Sequence, residues 1–315
     1  MPEILLAHVV QSAAAAGAVG GLLAAWGIRR PGVRFRFWLL ALILPAALPP
    51  LFAAAAPVRL SDPFRQHAAL FVAERWTMLP VGPWRLGPVL AALVAAGGVG
   101  LYLRDLVPAF LQGWRVGRHP PEADPRSEEI VRRVADQAAR LGIASPRARI
   151  VQDEEGAYLY CRGFTAPLIL VSTGALSSLS PEELDAAIAH EVGHAAGRHL
   201  VLGWGLIALR SLLMFNPVAQ ILGRSAVLEM ERVADDASIR ATGRSAALAS
   251  ALAKLGVLSG DDGLAVPGGL RFHVLKGRLV RITDKVTAPG PEAPEGLMLA
   301  LAAGAVALLV FFVVA

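Results

Sequence analysis

The chain has 315 residues, of which 17% are charged and 55% hydrophobic, and its mean hydropathy is +0.53. An average soluble domain holds about 25% charged residues, so this composition excludes a disordered chain and an ordinary soluble enzyme and assigns the apolar excess to lipid. A single cysteine excludes an internal disulfide framework. The formal net charge of +5 reads as a topology signal, with no nucleic-acid partner.

Residues 4–26 hold no charge and form the first expected span, since about 20 apolar residues cross the hydrocarbon as a helix. They lack the basic stretch that opens a signal peptide. A second span is expected over Phe37–Ala56, kinked by Pro45, Pro49 and Pro50. A third covers about Pro88–Leu111, with Arg104 and Asp105 as an interfacial pair near one end, and a fourth covers Leu297–Val314. The loop between the first two carries Arg29, Arg30, Arg34 and Arg36 and no acid, which places it in the cytoplasm. The N-terminus and the loop at 57–87 are then outside. The third span returns the chain to the cytoplasm, followed by Arg115 and Arg118. The expected layout is three spans within 1–111, a cytoplasmic domain at 112–287, a Gly/Pro-rich linker at 288–296 and a last span at 297–315.

Within that domain, Ile130, Val131, Val134, Ala138 and Leu141 recur at helical spacing, so a helix is expected over Glu128–Leu141, ended by Gly142. Short strands follow at Arg149–Gln152 and Ala157–Cys161, with a continuous apolar strand at Leu168–Ser172. Ser180, Pro181 and Glu183 form a helix start, with serine as cap, proline in the first turn and glutamate closing a capping box. That helix is expected to run to about His199, and another covers about Ser225–Ala241. The fold class is therefore α+β with membrane helices.

The long helix contains His190-Glu191-Val192-Gly193-His194. Residues four apart share a helical face, so both imidazoles reach one metal ion, and Glu191 stands beside the first ligand as general base. Catalytic zinc sites often combine two histidines with one glutamate. Glu231 supplies that third ligand, and Asp235, one turn on, accepts the outer N–H of a ligand histidine. Glu229 is the rival ligand, and Asp236 continues an acidic stripe. His199, Arg232, Arg240, Tyr158 and Tyr160 are candidate donors to the oxyanion, with His199 expected at a solvated or interfacial position. Cys161 reads as a packing residue.

The stretches AYLYCRG, PLILVSTGAL, LSPEELDAAIAHEVGHAAGRH, FNP and EMERVADDASI, spanning roughly residues 125–285, resemble the BlaR/MecR-type membrane zinc metallopeptidases. These are gluzincins, related to HtpX-type membrane peptidases that share part of the pattern. The resemblance implies a zincin-like domain with a small β-sheet, Zn2+ on His190, His194 and Glu231, and Glu191 as base. It also implies that Leu168–Ser172 lines the cleft and pairs with an extended substrate. BlaR/MecR sensors continue into a large outer β-lactam-binding domain, whereas this sequence ends at Ala315, so a β-lactam receptor role is not expected.

The metal constrains Leu200–Gly223, an apolar stretch broken by Arg210, Asn216 and Pro217. His194 and Glu231 lie on one side of the bilayer, and the 36 residues 195–230 between them are too few for two crossings. A bent helical segment, embedded or interfacial and broken near Asn216-Pro217, is expected, which argues against the HtpX type. The function read from these residues is a membrane-anchored zinc endopeptidase in the inner membrane. Its substrate is a cytoplasmic or membrane-proximal protein, as in regulatory proteolysis. The alternatives are an HtpX-like quality-control protease and a non-enzymatic, zinc-stabilised signalling scaffold. Its partners are the protein substrate and the lipid bilayer; the oligomeric state is not specified.

Overall fold

The computed structural model describes residues 2–117, 125–258, 270–283 and 294–314. In chain order the elements are α1 (Pro2–Ala25), α2 (Pro31–Ala55), a 3-10 turn (Pro57–Leu60), α3 (Asp62–His67), β1 (Phe71–Val72), α4 (Ala73–Thr77), β2 (Pro80–Val81), β3 (Trp84–Arg85) and α5 (Leu86–Gly117). Then come α6 (Ser127–Arg140), β4 (Arg147–Val151), β5 (Leu159–Arg162), β6 (Leu168–Ser172), α7 (Thr173–Ser178), α8 (Pro181–Ala196) and α9 (His199–Leu212). The last are α10 (Pro217–Thr242), α11 (Ser245–Leu258), α12 (Leu270–Thr283), α13 (Glu295–Phe312) and β7 (Val313–Val314). The architecture is mostly helical with small sheets, an α+β class. Two compact units result: residues 1–103, 207–229 and 289–315, and residues 104–206 and 230–288.

The first unit is helical and apolar. Among the described residues, four helices are long and apolar enough to cross a membrane: α1, α2, α5 over Leu86–Val107, and α13. The three prolines inside α2 do not break it. α1, α2 and α13 pack on one another, burying Val19, Phe37, Leu42, Val306 and Val310. The segment expected as a loop at 57–87 folds into short elements instead. One reason is Arg59, which is buried and donates to the carbonyls of Val310, Phe311 and Val313. Those of Val310 and Phe311 are terminal carbonyls of α13, which lack partners inside their own helix, and Val313 directly follows it. Next to it, β1 pairs in parallel with β7. The break before α10 is a helix cap: the Asn216 side chain accepts from Val218 N and Ala219 N, and Pro217 opens the helix.

The second unit builds the site. β4, β6 and β5 lie in that order, with β6 central, parallel to β4 and antiparallel to β5. Both edges of β6 are therefore occupied. The expectation that Leu168–Ser172 pairs with an extended substrate is corrected accordingly, because no unpaired ladder groups remain on it. α6 and α8 share a core with the sheet, formed by Ile130, Val134, Ile150, Ile169, Val171, Ile188 and Val192. Each such side chain contributes about 1.5–3 kcal/mol by leaving water. α8 stops at Ala196 rather than near His199, because Gly197 closes it. α10 begins eight residues before the expected Ser225. Of the linker expected at 288–296, residues 288–293 lie outside the described residues, as does Arg118.

The start of α8 is fully capped. Ser180 Oγ accepts from Glu183 N, and Glu183 Oε2 accepts from Ser180 N at 2.7 Å. Glu183 also binds Lys254 Nζ at 2.7 Å and the Ser250 hydroxyl at 2.6 Å, tying α8 to α11. Burial alone would raise the Glu183 carboxyl, but Lys254, Ser250 and the Ser180 N–H outweigh it and hold it down at about 2. The stability it contributes is complete above its ordinary value of 4.5 and is lost as pH falls through about 2. Ser180→Ala is expected to cost about 1 kcal/mol in unfolding of the full chain. Glu183→Gln is expected to lower the melting temperature at pH 7, with the deficit shrinking as pH drops from 4.5 towards 2; a deficit constant across that window would refute this account.

Candidate active site

α8 presents His190 and His194 on one face because they stand one helical turn apart. α10 does the same with Glu231 and Asp235. Small residues let the two helices approach closely. A Cβ added at Gly193 would lie 2.9 Å from Ala237 Cβ and 3.2 Å from Ala234 Cα. Ser238 Oγ, beside that contact, donates to the Ala186 carbonyl at 2.7 Å. The glycine inside the His-Glu-Val-Gly-His run is thus the point where α10 touches α8.

Three donor atoms converge there. His190 Nε2 is 3.2 Å from His194 Nε2 and 3.6 Å from Glu231 Oε2, and His194 Nε2 is 3.5 Å from Glu231 Oε1. Ligand atoms bonded tetrahedrally to zinc at about 2.0–2.1 Å stand about 3.3–3.4 Å from one another. The donor set therefore fits Zn2+ in both chemistry and spacing, and the three residues form a cluster able to hold a metal ion.

The surroundings hold these donors in place. Asp235 Oδ1 stands 3.2 Å from His190 Nδ1, on the side of the ring away from the cluster. Arg278, on α12, is buried at 1% exposure. Its Nε and Nη2 donate to the two Asp235 oxygens at 2.9 and 2.6 Å, and its Nη1 pairs with Glu231 Oε2 at 2.9 Å. Glu191 Oε2 accepts from the backbone N–H of Cys161 on β5 at 2.6 Å. A cavity of about 30 Å³ lies beside Glu191 and His190, walled by Ala157, Leu159, Ala187 and Leu252, with room for a water molecule or two.

Electrostatics follow from this packing. Burial opposes ionisation of Glu231, but the His194 and Arg278 groups overcome it and hold the carboxyl well below the usual range. Asp235, equally buried, is held down at about 2 by Arg278 and His190. Burial pushes Glu191 up to about 7. Burial alone would lower His190, yet the Asp235 and Glu231 carboxylates raise it to about 9. His194 and His199 are pushed down by burial, to about 3 and about 4.

The other sequence candidates separate clearly. Glu229 lies two residues, about 200° of helix rotation, from Glu231, and its carboxylate binds Arg34 at 2.7 Å. Asp236 pairs with Arg281 at 2.6 Å. Arg240 is exposed, whereas Tyr158 lines the cavity next to His190 and Glu191. Tyr160 stacks at a tilt on Tyr158. The Cys161 thiol packs against the core and is pushed up to about 12 by burial and by Glu191, so it stays protonated. Of the solvated or interfacial position expected for His199, the solvated one is excluded: it is buried, with its ring against His194. Sequence reasoning missed Arg278. The available signal was charge balance, since Leu270–Thr283 carries four basic residues (Arg271, Lys276, Arg278 and Arg281) and no acid, while Glu231, Asp235 and Asp236 crowd α10.

Two helices that join a His-Glu-x-x-His pair to a glutamate one element away define a metallopeptidase-like site. In keeping with it, residues 121–254 match peptidase family M48. Over 117 residues the chain is 34% identical to a protein named Protease HtpX from Idiomarina loihiensis, covering 36% of this chain and 40% of that one. It is 40% identical over 116 residues to Protease HtpX of Escherichia coli O127:H6, covering 36% and 39%. A Leptothrix cholodnii protein named Protease HtpX homolog is 31% identical over 120 residues, covering 37% and 40%. The matched segment is thus about two fifths of these relatives. The likeness falls on the HtpX side, against the expectation drawn from Leu200–Gly223.

Arg278→Ala would leave Asp235 and Glu231 buried without their guanidinium. A loss of about 3–5 kcal/mol is expected, measured as a fall in the melting temperature of the full chain in detergent. An unchanged melting temperature would show that the pairs are not formed.

Proposed function

We propose that this protein is a membrane-anchored zinc endopeptidase that hydrolyses peptide bonds of a cytoplasmic or membrane-proximal protein. The observation that carries the reading is the triangle of His190, His194 and Glu231 donor atoms at zinc spacing with Glu191 alongside. His190 and His194 would hold Zn2+ through Nε2, and Glu231 through its carboxylate. Zinc, when bound, supplies Lewis acidity toward a scissile carbonyl.

The chain's own groups do the rest. Cys161 N–H holds Glu191 Oε2, which leaves Oε1 to take a proton from the attacking water and to deliver it to the departing amide nitrogen. Asp235 fixes the orientation of His190, and Arg278 fixes Asp235 and Glu231 together. The layout of spans around a domain at 112–287, the linker at 288–296 and the cytoplasmic placement remain part of this proposal. They rest on the apolar runs and on Arg29, Arg30, Arg34 and Arg36. The relatives' name favours an HtpX-like role over the regulatory proteolysis of the BlaR/MecR type.

The test uses the full chain in lipid nanodiscs, with casein as substrate and zinc measured by mass spectrometry. The parent is expected to bind one zinc and cleave. Glu191→Gln is expected to keep the zinc and lose at least about 10²-fold in rate. Equal cleavage by the two forms, or a parent without zinc, would overturn the reading, and a zinc-loaded parent that never cleaves would favour a scaffold.

A further inference from the structure

The chain turns sharply after α8. Gly197 closes the helix, Arg198 adopts a left-handed conformation at φ 52°, and α9 opens at His199. That conformation is uncommon for a residue with a Cβ. Here it returns the His199 ring onto the end of α8, where a Cβ at Gly197 would lie 2.3 Å from His199 Nε2 and 2.6 Å from Cδ2. The ring is buried, and its Nδ1 lies 3.0 Å from His194 Nδ1 with the two rings edge to face.

Two imidazole nitrogens at that distance share one proton, so one ring donates and the other accepts. His194 Nε2 is the atom turned toward His190 and Glu231. A neutral imidazole that keeps its Nε2 lone pair carries its proton on Nδ1. His194 Nδ1 therefore donates, His199 Nδ1 accepts, and the proton of His199 sits on Nε2.

We propose that His199 is a positioning residue that fixes the tautomer and ring orientation of His194, as Asp235 does for His190, an inference that rests on reading His190, His194 and Glu231 as the metal site. The two histidine ligands are thus supported unequally, one by a carboxylate and one by an imidazole. Outer partners of this kind typically govern metal affinity 10–100-fold. Gly197 belongs to the same device, since any side chain there would displace the ring.

The experiment measures zinc affinity of the full-length protein in detergent by competition with a chromophoric chelator. Asparagine places an amide oxygen close to the position of Nδ1 and still accepts, whereas phenylalanine fills the space without an acceptor. His199→Phe is expected to weaken zinc by roughly 10–100-fold, His199→Asn to stay near the parent, and Gly197→Ala to fall in the direction of His199→Phe. Melting of the zinc-free forms separates a lost acceptor from a lost fold. Equal affinities of the Asn and Phe variants, whether high or low, overturn the role of His199. If His194→Ala meanwhile loses zinc, the underlying site stands and only this inference fails. A parent that binds no zinc, or a His194→Ala form that binds as tightly as the parent, overturns both.

Discussion

Buried negative charge is the constraint around which the second unit is arranged. Glu191, Glu231 and Asp235 stand together on two touching helices, and the buried Arg278 guanidinium pairs with Asp235 and Glu231. Unpaired charges in such surroundings are costly, so the site stores a demand for a cation. Burial raises the Glu191 carboxyl, and the Asp235 and Glu231 carboxylates raise His190 against the opposing effect of burial.

Close approach of the helices is the mechanical counterpart of that charge. Gly193 and Ala234 remove side-chain bulk where α8 and α10 meet, and the Ser238 hydroxyl links α10 to the backbone of α8. The capping box at Ser180 and the Glu183–Lys254 pair define where α8 begins and hold it to α11. β5 contributes through its backbone, since the Cys161 N–H holds one Glu191 oxygen. Glu191 is thus held by a strand, and the His190, His194 and Glu231 donor atoms by helices.

The first unit solves a different problem with similar means. Helices in an apolar setting must satisfy their terminal backbone groups from within the protein. Arg59 does so for the end of α13, and Asn216 does so for the start of α10. Arg34 and Glu229 neutralise each other. This pairing explains why Glu229, an acid only two residues from Glu231, serves the bundle while Glu231 turns toward the histidines.

Much of the protein was legible locally. The apolar runs, the Ser180 cap, the strand at Leu168–Ser172 and the i, i+4 histidines depend on residues within one run or one helical turn, which a sequence displays directly. The same spacing put Glu231 and Asp235 on one face of α10, but which histidine Asp235 would meet was left open. The central position of β6, the guanidinium of Arg278 reaching across 43 residues to Asp235, and the return of His199 over Gly197 were decided only in three dimensions. They depend on which elements become neighbours and on one left-handed residue, and neither strand order nor the destination of a buried charge is written in the periodicity of a single segment.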